Sequence, residues 1–508
     1  MIKYQRTKNA IRNSLYGVIL RIINLIGAFV ARSMLIQMLG VEFVGLDGLF
    51  ASVLTMLNMA ELGFSSAVVY KLYKPIAEGK TEDVCALLNY YKKIYRIIGS
   101  VVLMVGLLLV PFLSLIIHGE IPDSVNLYAL YAVYLSNTVL SYWLFAYKAA
   151  LLNAHQRNDL VSKVGSIAFL LKYILQFVFL MIFKDYYVYA IVIPTTTLLV
   201  NIGNAYLVNK YYPQYVCKGD LAEKEKAEIR EKVTALLYNK IGVAIINGSD
   251  NIVISTFLGL RMLGVYSSYY YVFSMLHSFF DVFHSAITAG VGNSIVTETV
   301  DTNYKLFCHL NFINAWIVGW VSICMCCMYE PFMTIWIGGE NTLPTLFSVL
   351  MSIYFYSWMI RFITLIFKNA QGMWREDRLR PFIEGIVNLA LNLFMVNKIG
   401  IYGITLSTIL AMTVVSIPWE TSILFKSYFR KSPINYYFRR LLDIAIILTV
   451  GFITFSLCSL IRTDLIVMLL LRGIVCTIVP NVLLVVVYRR TDSFEYANSL
   501  IHRVLKKR

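Results

Sequence analysis

Basic and acidic side chains set inside long apolar runs are the residues of this chain with chemistry to perform. Asn13, Gly17, Arg21, Asn24, Ala28 and Arg32 follow one another at three- or four-residue steps, so on a helix they form a single polar or small stripe. That stripe cannot face hydrocarbon. An arginine at the centre of a lone span costs about 2.5–3.5 kcal/mol even on the lowest insertion scales, so each needs water, a partner or an anionic ligand. Lys240, Asn247 and Asp250 make a similar face on a later run. Arg32 and Asp250 leave two readings open: an ion pair locking the outer ends of two halves, or an Arg32 awaiting an anion. Lys172 and Arg361 fall near the middle of their runs, where snorkelling is hardest, and are expected to meet ligand. Arg472, Glu420 and Glu384 fall near run ends and are expected to snorkel or pair, while Glu61 is a candidate for gating or coupling.

Other chemistries are weaker. His277, Asp281 and His284 share a helical face at i, i+4 and i+7, a spacing that suits a proton relay or a metal but more often lines a cavity. Cys324, Cys326 and Cys327 sit in an apolar run, where cysteine is a common small filler. Gly79-Lys80-Thr81 lacks the first glycine of a phosphate-binding loop, because that position is Lys74. No nucleophile with its base and no glycosidase-like carboxylate pair is visible, and no cofactor or metal is expected.

The elements that must position these residues follow from composition. Of 508 residues 58% are hydrophobic and only 15% charged, too little polar surface for a soluble fold of this size. Apolar runs at about 14–39, 43–72, 94–117, 124–152, 160–183, 187–211, 233–258, 264–295, 307–329, 343–370, 380–397, 402–426, 439–461 and 465–489 predict an all-α polytopic membrane protein of about fourteen spans. The first run is too long for the apolar segment of a signal peptide. Of 45 Lys and Arg, six (Arg21, Arg32, Lys172, Lys240, Arg361 and Arg472) lie well inside runs and four (Lys184, Arg261, Lys398 and Arg462) in one set of alternate connections. The other thirty-five occupy the N-terminus, the opposite connections with the run ends that adjoin them, and the tail, which places both termini in the cytoplasm. The net charge of +16 is therefore read as loops held by anionic lipid, not as a nucleic-acid site.

A shift of 219 residues superposes Leu39-Gly40 on Leu258-Gly259, Gly45 on Gly264 and Val53-Leu54-Thr55-Met56-Leu57 on Val272-Phe273-Ser274-Met275-Leu276. The same register places Arg21 on Lys240. Two six-helix lobes related by a pseudo-two-fold along the membrane normal are expected, at 1–211 and 233–430. Residues 212–232 read as a solvated cytoplasmic linker, and 431–508 as two appended helices and a basic tail.

The segments Leu39-Gly40, Val44-Gly45-Leu46, Leu54-Thr55-Met56-Leu57, Ala60-Glu61-Leu62-Gly63 and Tyr70-Lys71-Leu72-Tyr73-Lys74-Pro75 resemble the N-terminal signature of polysaccharide-type flippases of the multidrug/oligosaccharidyl-lipid/polysaccharide (MOP) exporter superfamily. Similar pieces are Asn153-Ala154-His155-Gln156-Arg157-Asn158, Asp250-Asn251-Ile252-Val253-Ile254-Ser255 and Trp374-Arg375-Glu376-Asp377-Arg378 through Pro381. The resemblance, which runs to about residue 430, implies a Wzx-type flippase of the bacterial cytoplasmic membrane. It would move an undecaprenyl-pyrophosphate-linked oligosaccharide by alternating access for capsule, O-antigen or teichuronic-type polymer. Arg21, Arg32, Lys240, Lys172 and Arg361, with Asn24 and Asn247, would then hold the pyrophosphate and sugars. Asp250, Glu61, Asp281 and His277 would gate or couple, with H+ or Na+ as the coupling cation, and a polysaccharide polymerase would be a partner. By analogy with relatives, helices 13 and 14 would offer a groove to the polyprenyl tail. The competing readings are a multidrug antiporter, which should present acidic cavity positions, and a membrane polymerase or acyltransferase, which should carry a larger outward loop than 330–342.

Overall fold

The computed structural model describes residues 2–61, 64–119 and 121–506, and these are all-helical, as expected. The chain divides into two compact units, 1–267 and 268–508. The first contains α1 (Ile2–Met38), α2 (Val41–Leu57), α3 (Phe64–Ala77), α4 (Thr81–Leu109), α5 (Leu127–Trp143), α6 (Ala146–Ala154), α7 (Asn158–Phe183), α8 (Tyr186–Tyr211) and most of the long α9 (Glu223–Thr297). The second contains the rest of α9, then α10 (Val300–Ile337), α11 (Thr345–Ile360), α12 (Phe362–Ala370), α13 (Arg380–Ile399), α14 (Ile401–Ala411), α15 (Ile417–Leu424), α16 (Ile434–Ser459), α17 (Leu465–Tyr488) and α18 (Asp492–Lys506). The break therefore falls inside α9, later than the expected linker, because the run 233–258 packs with the first unit.

Among the described residues, eleven helical stretches are long and apolar enough to cross a membrane. They differ from the fourteen expected runs at three places. Runs 233–258 and 264–295 form one stretch, Lys240–Thr297, broken at Gly259 (φ 85°, ψ 171°), a backbone conformation that only glycine adopts without strain. The run 43–72 is interrupted by a 3-10 turn at Asn58–Glu61, and the run 124–152 by an extended Leu144 and a left-handed Phe145 (φ 60°). On α17, Ile466, Leu470, Ile474, Ile478, Val482 and Val486 are exposed at four-residue intervals while Cys476, Pro480 and Leu484 are buried. One apolar stripe packs inward and the other is left bare, the pattern of a helix solvated by lipid. The protein is a multi-pass membrane protein.

The stretch 212–232 is mostly exposed and helical from Glu223, and it is anchored at a few points. Asn89 on α4 donates to the Gly219 carbonyl (2.7 Å), Lys93 pairs with Asp220 (2.7 Å), and Tyr215, Leu221 and Ile229 are buried. The hydrogen bond from Lys93 holds the exposed Asp220 carboxyl below its ordinary range. The C-terminal α18 likewise docks rather than trailing. Ser493 bonds His309 (3.2 Å), Tyr496 stacks on the same ring and Phe494 on Trp316.

The 219-residue repeat survives in three dimensions. Gly40 and Gly259 are register mates, and both have positive φ (115° and 85°) immediately before a helical segment. Within the first unit α2 crosses the part of α9 that follows Gly259. A Cβ on Gly45 would overlap the Leu260 carbonyl, and one on Gly264 would overlap the Val41 carbonyl. Val41 and Leu260 are themselves mates, so the contact is reciprocal. Gly48 faces its own mate, Ser267, whose Oγ would lie 3.0 Å from an added Cβ. Bare backbone lets two helices approach this closely. Asn251, the mate of Arg32, fastens the crossing by donating to Ser52 Oγ (2.8 Å).

Backbone carbonyls cannot move aside as side chains do, so Gly264→Val should cost about 1–3 kcal/mol or more. In detergent it should lower the thermal midpoint, whereas Gly17→Ala, whose Cβ would meet nothing within 4 Å, should not.

Candidate functional site

In the first unit α1 packs chiefly on α7. Asn13 ties the two together, donating to the Gln156 carbonyl (3.0 Å) and accepting from the Asp159 amide (2.7 Å). Higher on the same stripe Asn24 accepts from the Tyr173 hydroxyl (3.2 Å), and Gly27 lies flat against the Tyr173 ring. The stripe thus faces protein, as its polarity requires. Arg21 and Arg32 are half-buried on it, and Lys240 is exposed on α9. Asp250 is buried. The side chain of Asn247 lies outside the described residues, as do Leu62 and Gly63.

Around Arg32 the unit assembles a polar, aromatic cluster. Tyr134 donates to Asp47 (2.5 Å) and bonds the Tyr186 hydroxyl (3.0 Å), and Tyr186 stacks on Tyr189. Asp47 lies within electrostatic reach of Lys172 and of Tyr189, which also feels Arg32. The half-buried Lys172 has its ammonium 5.1 Å from the centre of the Tyr173 ring, a cation–π contact. Asp47 was missed at the level of sequence although the signal was present: an acid inside an apolar run, two residues after the repeated Gly45.

Glu61 occupies the broken part of the second run. Tyr95 and Tyr142 both donate to it, the latter at 3.2 Å, and Tyr142 also reaches Asn58 (2.9 Å). The side chains that flank the irregular backbone are thereby met by hydroxyl donors.

The second unit corrects one expectation and decides between two others. Arg361 is not available to a ligand. Its guanidinium is 7% exposed and reaches Glu420 through two nitrogens (2.5 and 3.1 Å) and Glu384 through the third (3.5 Å). Of the two roles expected of them, Glu384 and Glu420 take pairing: both are buried and also meet Arg380 (2.7 and 3.1 Å), which in turn bonds Asp377 (2.8 Å) and Ser416 (2.9 Å). Lys368 closes the network on Asp377. Three cations and three carboxylates, all buried, sum to zero charge.

His277 and the half-buried Asp281 come within 3.7 Å. His284 leaves that pair for the core, bonding Asn314 (3.1 Å) and stacking on Phe362.

An apolar groove of about 480 Å³ runs between α10, α11 and α16, lined by Ile323, Cys326, Ile353, Tyr356, Ile447 and Phe452 among others. It differs from a groove made by helices 13 and 14 together, because α17 packs mainly on α10 and adds no residue to this one.

Apolar spans, two helical units and a parallel repeat define a membrane protein of transporter-like fold. The chain is similar to an inward-facing multidrug-resistance MATE transporter of the MOP superfamily, with TM-score 0.64, 12% identity and coverage of 78% of this chain and 93% of that one. It is similar to the lipid II flippase MurJ in an inward closed conformation, with TM-score 0.65, 15% identity and coverage of 94% and 99%. A MOP transporter from Pyrococcus furiosus, described as having a binding pocket of reverse polarity, matches with TM-score 0.51, 14% identity and coverage of 84% and 97%. The fold is that of the MOP superfamily. The family model described as polysaccharide biosynthesis protein matches residues 10–288, more than half of the chain, and the chain belongs to that family. Among curated proteins none matches it.

Removing one member of the second unit's network would strand a buried charge. Glu420→Gln should therefore lose about 3–5 kcal/mol, seen as a lower thermal midpoint. The double change Arg361→Met with Glu420→Leu keeps the remaining four charges balanced and should recover much of that loss.

Proposed function

We propose that the protein translocates a polyprenyl-pyrophosphate-linked oligosaccharide across the bacterial cytoplasmic membrane by alternating access, for export of a cell-surface polysaccharide. The carrying observation is the family match over 10–288, which covers nearly all of the first unit. That is the unit that bears Arg21, Arg32, Lys172 and Lys240 inside its apolar stretches. A pyrophosphate needs fixed cations in a medium of low dielectric, and sugars need hydroxyl and aromatic faces, for which the half-buried Tyr173, beside Asn24 and Lys172, is the candidate. Arg361 leaves this set and serves the fold instead. The groove beside α16 is apolar enough to take the polyprenyl tail. Coupling to H+ or Na+ would fall to Glu61, Asp250 or the His277–Asp281 pair, and Asp47 joins these candidates. Membrane lipids and a polysaccharide polymerase are the expected partners, and both termini face the cytoplasm.

Antiport of small organic cations is the alternative, and the carboxylates Asp47 and Glu61 are the residues that would serve it. Arg21→Ala and Lys240→Ala separate the two. Under the flippase reading each should stop lipid-linked oligosaccharide from becoming accessible at the outer leaflet while protein in the membrane stays at its normal level. Normal surface polymer in both variants would remove these residues from the site, and drug efflux that persists only while Asp47 is intact would favour the antiporter. If Arg32 and Asp250 act as a gate, reversing either charge should impair translocation and swapping both should restore part of it.

A further inference from the structure

Cysteines from three separate runs meet in the second unit. The Sγ atoms of Cys327 on α10, Cys458 on α16 and Cys476 on α17 all lie within 4.8 Å of one another, and the three residues are between 0 and 1% exposed. We propose that these three thiols bind a divalent thiophilic cation of the zinc class, fastening the α16–α17 hairpin to α10.

Spacing supports a shared ion over a bond between sulfurs. Cys458 and Cys476 are 3.8 Å apart. Two thiolates on one tetrahedral zinc, each about 2.3 Å from the metal, stand about 3.8 Å from each other. A disulfide would need about 2.05 Å and would leave the third sulfur without a role.

Charge selects the valence. Arg472 lies one turn before Cys476 and donates to the Cys327 carbonyl (3.1 Å). Its Nε is buried with no acceptor among the described residues, and Cys458 lies within its electrostatic reach. Three thiolates, one guanidinium and a divalent ion sum to zero, whereas a monovalent ion leaves a net negative charge in an apolar interior, where uncompensated charge is expensive. Binding releases the three thiol protons, one from each sulfur that becomes a ligand.

The surroundings hold the ligands in place. Trp320 Nε1 donates to the Cys476 carbonyl (2.8 Å), and the Cys324 thiol approaches the same oxygen (3.7 Å), which leaves Cys324 outside the ligand set. Such outer contacts orient metal ligands. The neighbouring trio in the sequence is thus split: Cys327 is a ligand, Cys324 a support, and Cys326 lines the apolar groove.

Full-length protein in nanodiscs, dialysed against zinc and assayed for metal and protein, should retain one equivalent per chain. Cadmium in place of zinc should give the ultraviolet sulfur-to-metal charge-transfer band, and zinc should raise the thermal midpoint. Cys458→Ser and Cys476→Ser should each abolish all three responses, Arg472→Gln should weaken zinc binding at least tenfold, and Cys85→Ser should change nothing. Unmodified protein that holds no zinc and gives no cadmium band would overturn the proposal without reliance on any variant. So would unchanged stoichiometry in the Cys458→Ser, Cys476→Ser double variant, or a Cys458–Cys476 disulfide in freshly isolated membranes in place of metal.

Discussion

Taking an ionised side chain out of water costs several kcal/mol, so a charge within a membrane-embedded helix persists only where something nearby compensates it. Two of the clusters solve this differently. In the second unit, Arg361, Lys368 and Arg380 close upon Asp377, Glu384 and Glu420, a neutral cluster spread over α12, α13, α15 and the turns around them. In the first unit, the carboxylates Asp47 and Glu61 are met by tyrosine hydroxyls. Phenols stabilise an anion without cancelling its charge, so Asp47 and Glu61 keep an electrostatic character that the neutral cluster lacks.

The same constraint explains where helices break. The interruptions at Asn58–Glu61 and at Leu144–Phe145 lie in neighbouring stretches, and Tyr142, just before the second, bonds Asn58 and Glu61 in the first. The two interruptions are thereby linked through side chains, with Tyr142 joining the second to the first.

How far the sequence could be read depended on what kind of information each feature needs. Hydropathy gave the all-helical membrane class, since it asks only for run length. The 219-residue register was legible because Gly40, Gly45 and their mates are required by backbone conformation and close approach, and such positions tolerate little substitution. Periodicity also put Asn13 and Asn24 on one face, and they share it in the structure. Periodicity says which face a residue occupies but not what stands opposite. Arg361 therefore read as a free cation, although Glu420 waited 59 positions downstream. Cys327, Cys458 and Cys476 read as scattered fillers for the same reason. The stretch 212–232 looked solvated because its charges outnumber its few anchors, Tyr215, Leu221 and Ile229, which nonetheless decide its place.

The crossing of α2 with α9 has the form of an isologous interface folded into one polypeptide: Gly45 meets Leu260 as Gly264 meets Val41, and Gly48 meets its counterpart Ser267. A half-length ancestor carrying one copy of that surface could have formed the same contact only between two separate molecules, as a symmetric homodimer. Fusion of its duplicated gene would have freed the copies to diverge. Ser267 opposite Gly48, and Asn251 in register with Arg32, are the marks of that divergence at the former dimer axis.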